Sequence, residues 1–212
     1  MKELLSPEGP VYSWLDKLGQ MILLSLLWLV GCLPVVTIAA SSTALYYAVM
    51  KSIRRGTGDA VKEFLRSYKM NLKRGIPITL IALVLGAGTS LNVRLSLAGQ
   101  LPGNVLPVAN GILLAVLVMM LVYVCPVMSR FDMKAKNVWK LSFVMAVRFL
   151  PFTIALAAGL AAVVYLQFYI LPMPTILILP SAWCFVTTFP VEKALRKYMP
   201  EKKPEDDAWY YE

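Results

Sequence analysis

Long uncharged apolar runs alternate along this chain with short segments that hold nearly all of its lysine and arginine. The runs Ile76–Val93, Val105–Met128, Phe149–Ile170 and Pro172–Val191 reach or approach the roughly twenty residues that a helix needs to cross a bilayer core. Lipid offers the backbone no hydrogen-bond partners, so a helix is the element each run predicts. The stretch from Leu18 to Met50 is too long for one ordinary span and carries Pro34 near its middle, where a helix is broken or kinked. Read as a hairpin, Leu18–Leu33 goes out and Val35–Met50 returns, giving six spans with both termini inside. Read as one long kinked helix, it gives five spans and an external N-terminus. The expected fold is therefore an all-α, polytopic transmembrane helix bundle of about six spans, with five as the alternative.

The segments between the runs have a pattern of their own. Gly56, Gly58 and Asp59 supply a turn and a helix cap. Val61, Phe64, Leu65, Tyr68 and Leu72 then recur on one stripe, with Lys62, Glu63, Arg66, Lys69 and Lys73 elsewhere, which is the pattern of an amphipathic helix. Such a helix can lie in the headgroup plane, dock on a partner, or pack on its own bundle. The segment recurs weakly: Lys62, Arg66, Arg74, Pro77 and Thr79 align with Lys136, Lys140, Arg148, Pro151 and Thr153. This predicts a repeated unit of basic amphipathic helix, juxtamembrane arginine and span with a proline in its first turn. Phe64, Arg66, Arg74, Trp139, Lys140 and Arg148 are the candidate partner or lipid face of these units.

Charge sets an orientation. Of 21 lysines and arginines, only Arg94 lies outside the N-terminal end and the segments Lys51–Arg74, Arg130–Arg148 and Lys193–Lys203. Lys/Arg-rich loops stay on the cytoplasmic side, and the hairpin reading keeps Lys2 and Lys17 there too. The expectation is a multi-pass cell-membrane protein with both termini cytoplasmic. It is one integral domain over residues 1–212, with a flexible tail at 199–212. Composition agrees: 58% hydrophobic, 16% charged and a mean hydropathy of +0.66, against about 25% charged for a soluble domain. The net charge of +9 is confined beside apolar runs, so its expected partner is the anionic inner leaflet of the bilayer and not nucleic acid.

Chemistry is sparse. There is no histidine, which removes the commonest metal ligand and general base. Cys32, Cys125 and Cys184 are far apart and without CxxC spacing, so they read as packing residues. All acidic residues lie outside the proposed spans, Glu192 coming closest at an inner helix end; an ion-coupled carrier would carry one inside. No nucleophile, metal or phosphate-loop motif is present. The expectation is no enzyme, no cofactor and no metal. Polar content within the membrane is concentrated in Thr37, Ser41, Ser42, Thr43, Tyr46 and Tyr47, a candidate interaction seam, since small hydroxyl residues let helices approach and hydrogen-bond. Gly86, Ala87 and Gly88 offer a matching small-residue surface on the next span.

The run from Leu33 to Tyr47, LPVVTIAASSTALYY, resembles the signature of the YesL-like membrane proteins of Gram-positive bacteria, whose usual form is L-P-x-x-T-I-G-A-S-x-T-A-L-Y-Y. Ala39 stands where that pattern has glycine. Phe64-x3-Tyr68-Lys69-x-Asn71-x-Lys73 and Arg148-x2-Pro151-x-Thr153 are also similar to the family. The resemblance implies an integral membrane protein of unknown function, often encoded beside carbohydrate-uptake ABC importers, and it supplies no catalytic residue. The stretch Gly58–Phe64 is unlike the cytoplasmic loop by which sugar permeases dock on their ATPase. The expected role is a non-enzymatic accessory or scaffold protein, with ABC importer subunits as partner and importer assembly or regulation as its task. The alternative is a small passive transporter or channel for a neutral solute.

Overall fold

The computed structural model describes residues 10–98, 105–166 and 177–198. The expected outer connections at Gln100–Asn104 and Pro172–Pro174, the tail at 199–212 and Lys2 lie outside the described residues. Every element among the described residues is helical: α1 (Pro10–Cys32), a 3-10 turn (Val35–Thr37), α2 (Ile38–Ala48) with a π turn at its end (Val49–Arg54), α3 (Ala60–Leu97), α4 (Val105–Arg130), α5 (Ala135–Arg148), α6 (Leu150–Tyr165) and α7 (Leu179–Leu195).

The break at Pro34 makes a hairpin. Trp28 Nε1 donates to Ser42 Oγ at 3.1 Å, and Ser41 Oγ donates to the Trp28 carbonyl at 3.0 Å. On one continuous helix Trp28 and Ser42 would stand about 21 Å apart along the axis at 1.5 Å per residue. The long kinked helix is thereby excluded. Thr37 closes the corner: its hydroxyl lies 2.7 Å from the Gly31 carbonyl and 2.6 Å from that of Pro34, occupying acceptors that the end of α1 leaves open.

The amphipathic segment differs from its expected form. Gly56 and Gly58 take φ of +68° and +85°, values that an L side chain resists. Asp59 Oδ1 then accepts from Val61 N at 2.9 Å and Lys62 N at 3.3 Å, so the turn and cap are as the sequence reads. The helix does not stop before the span, however. It runs on through Pro77 as one 38-residue element, about 57 Å long, so the Val61–Leu72 stripe shares the span's helix instead of forming a separate interfacial one. The second unit is different: α5 ends at Arg148 and turns by 104° into α6. Pro151 falls in the first turn of α6, where its missing N–H costs nothing, and Thr153 Oγ1 bridges the bend to the Ala146 carbonyl at 3.1 Å. The two aligned threonines nevertheless do the same thing. Thr79 donates to the carbonyl of Gly75 and Thr153 to that of Phe149, four residues back in each case.

The helices alternate in direction. Ala39 meets Thr79, Arg74 meets Asp132, Tyr123 meets Thr153 and Ser25 meets Ser181, so successive long helices run up and down one bundle. The described parts of the three basic segments consequently gather at one end. There Lys51 pairs with Glu63 at 2.7 Å, Arg74 with Asp132 at 2.8 Å and Arg130 with Glu192 at 2.8 Å, and Arg54 Nη1 donates to the Thr188 carbonyl at 2.8 Å. Among the described residues, three helical stretches are long and apolar enough to cross a membrane: Trp14–Cys32, Ala60–Ser96 and Val108–Arg130. The bent pair α5–α6 makes a fourth if it is taken as one span. At 11 residues α2 is shorter than a span, and it is buried on nearly every side. It is a core helix of the bundle, wrapped by the others.

Candidate functional site

The hydroxyl seam is built into the chain's own packing. Ser41 and Ser42 hold α1, as above. Thr43 Oγ1 donates to the Ala39 carbonyl at 2.7 Å and lies 3.7 Å from Met128 Sδ on α4. Ala39 N, an open donor in the first turn of α2, donates to Thr79 Oγ1 at 3.0 Å, so α3 caps α2. Tyr47 is half-buried, with Lys51 Nζ 5.7 Å from its ring centre. Tyr46 is fully buried, and its hydroxyl has no hydrogen-bond partner.

The close helix approach is not at Gly86–Gly88. The nearest neighbour a Cβ on Gly86 would meet is Leu117 Cδ2 on α4 at 3.8 Å, and a Cβ on Gly88 would meet open space. Gly75 is the contact residue: a Cβ there would come within 2.8 Å of the backbone nitrogen of Ala40. A Cβ on Gly31 would come within 2.6 Å of Ser41 Oγ. These two glycines, not a glycine at position 39, bring α1, α2 and α3 together. The sequence signal was present but unread: Gly75 lies one helical turn before Thr79, on the same face.

Beside the seam lies a half-open cavity of about 630 Å³, walled by α1, α2, α3, α4, α6 and α7. Its surface is mostly aliphatic and aromatic, with Ser42, Tyr46, Thr79, Cys125, Cys184 and Thr187 the polar or sulfur-bearing exceptions. The three cysteines are free thiols. No three His, Cys, Asp or Glu side chains converge on a metal-sized space among the described residues.

One ion pair at the basic end is buried. Arg130 at the end of α4 pairs with Glu192 of α7, and their side chains are 1% and 2% exposed. Position alone was a clue, since each residue borders an apolar run on the basic side. Arg55 stands close by. Burial lowers its guanidinium pKa from the ordinary value, the charge of Arg130 pushes the same way, and Glu192 opposes them.

The candidate outward face divides. Phe64 is not on it. This ring is 2% exposed, packs with Leu24, Ala48, Val49 and Ile53, and stacks on Tyr68 at 6.2 Å. Of its stripe, Val61, Tyr68 and Leu72 are half-buried beside it and Leu65 is exposed. Trp139 is half-buried against the main core cluster, and Arg74 is engaged by Asp132. Arg66, Lys140 and Arg148 are exposed, although Arg148 Nη1 reaches the Tyr198 hydroxyl at 3.3 Å. What the sequence did not single out is the apolar half of the α5 outer surface. Phe143, Val144 and Val147 are exposed next to Lys136 and Lys140.

Fold and site together define a helical membrane protein whose polar seam is turned inward. Residues 21–93 match the family described as Protein of unknown function, DUF624, which is the family of YesL-like proteins. The matched stretch holds most of α1, the corner at Pro34, α2 and most of α3, that is, the elements joined by Gly31, Thr37, Gly75 and Thr79. No curated protein and no solved structure matches the chain.

Proposed function

We propose that the protein is YesL-like over its whole length and serves as a non-catalytic accessory or scaffold of the cell membrane, working with a carbohydrate ABC importer in its assembly or regulation. In this reading α1, α2, α3, α4, the bent α5–α6 pair and α7 each cross the bilayer, and the basic end with both termini is cytoplasmic. The observation that carries the proposal is where the polar groups go. Apart from the Tyr46 hydroxyl, the seam is spent on internal helix contacts, while α5 turns Lys136, Lys140, Phe143, Val144 and Val147 outward at the basic end. That is a surface suited to an interface or to the anionic leaflet.

Passive passage of a neutral sugar is the weaker reading, because a sugar needs hydrogen-bond partners along its path and the cavity wall is mostly hydrocarbon. Affinity purification from native membranes in mild detergent tests the proposal. Importer subunits are expected to co-purify, and their level is expected to fall when the protein is deleted. Recovery of the protein alone, with importer levels unchanged, contradicts it.

A further inference from the structure

The 630 Å³ cavity asks for an occupant of particular chemistry. Its size is that of a small-ligand pocket, typically about 300–1,000 Å³. Three of the hydroxyls on its wall are already engaged: Ser42 accepts from Trp28, Thr79 bridges Ala39 and Gly75, and Thr187 donates to the Cys184 carbonyl. The Tyr46 hydroxyl is unpartnered but has almost no accessible surface, so it offers an occupant no contact. Water is a poor filler for so apolar a space, and a polyhydroxylated solute would lose nearly all its hydrogen bonds there.

The mouth gives the source of the occupant. Leu83 and Val164 line the cavity and are also exposed on the outer, apolar surface of the bundle, so what meets the opening in a membrane is lipid. We propose that the cavity holds one acyl chain of a membrane phospholipid, which enters from the bilayer through the mouth at Leu83 and Val164.

The test titrates the full-length protein in detergent with phosphatidylglycerol carrying a diazirine midway along one acyl chain. After photolysis the adducts are mapped by peptide mass spectrometry. Adducts on the cavity wall, at Leu121–Pro126 and Leu160–Val164, should saturate near one per chain and be displaced by unlabelled phosphatidylglycerol. Adducts on the outward surface around Ile112 and Leu113 should rise without saturating. Ala82→Trp, which fills the space, should abolish the saturable adducts while leaving the outward ones, and wild-type saturation decides if that variant does not fold. Labelling of the wall that never saturates overturns the proposal. So does saturable labelling that a neutral disaccharide displaces and phospholipid does not.

Discussion

Phe64 and Glu192 show how far a residue's surroundings decide its role. From the sequence, Phe64 is an aromatic on an amphipathic stripe, available to lipid, to a partner or to the bundle; in the fold it fills the space between α1 and the end of α2. Phe64→Ala should therefore lower stability by roughly 3–5 kcal/mol, the range for emptying a buried aromatic site. Lys62→Ala, on the exposed side of the same turn, should stay within about 0.5 kcal/mol. Denaturation of the purified protein in mixed micelles compares them, and equal effects would contradict the packing. Glu192 makes the sharper case. Replacing it with alanine leaves the Arg130 charge buried and should cost about 3–5 kcal/mol, whereas the double change Arg130→Met with Glu192→Leu should recover most of the loss. A double variant less stable than Glu192→Ala would mean that the pair holds the fold by more than mutual neutralisation.

At the scale of elements, the hairpin at Pro34 was readable because proline and length both pointed to a break, and the cap at Asp59 because turn chemistry is local. Continuity was not readable. Pro77 and Pro151 occupy aligned positions, yet one lies inside a 38-residue helix and the other in the first turn after a 104° bend. The difference is made by tertiary contacts such as the Thr153 bond to Ala146 and Tyr123, which no local pattern reports. The glycine contact was misplaced for the same reason, since a GxG in an apolar run shows only that a close approach is permitted. Gly75→Val should force α2 and α3 apart, and overpacking of this kind costs about 1–3 kcal/mol or more. Gly88→Val, in open space, should be neutral by the same measurement. The hairpin returns the chain to one side, and in the proposed orientation that side is cytoplasmic. In a background lacking the three cysteines, single cysteines at positions 17, 57 and 137 should react with an impermeant maleimide only from the cytoplasmic side. Labelling of position 17 from outside, with the other two unchanged, would mean that α1 and α2 do not return to one side.

For the whole molecule, class was legible and purpose was not. Apolar run lengths and the placement of lysine and arginine were enough for an all-helical membrane bundle, because bilayer thickness and backbone desolvation leave few alternatives. The burial of the Arg130–Glu192 pair and the cavity beside Tyr46 depend on which helices become neighbours, and spacing along the chain does not carry that. α5 turns an apolar patch outward at the basic end, and the accessory reading rests on it. The most direct measurement is recovery of importer subunits with tagged protein carrying Phe143→Ala, Val144→Ala and Val147→Ala together, set against Lys136→Ala with Lys140→Ala. Interfaces are held mainly by a few buried apolar anchors, so the triple apolar variant should lose the partner at least ten-fold while remaining folded and membrane-inserted, and the lysine pair should change recovery little. Recovery that survives the apolar variant but falls with each lysine removed would show α5 to be a lipid anchor and contradict the docking role.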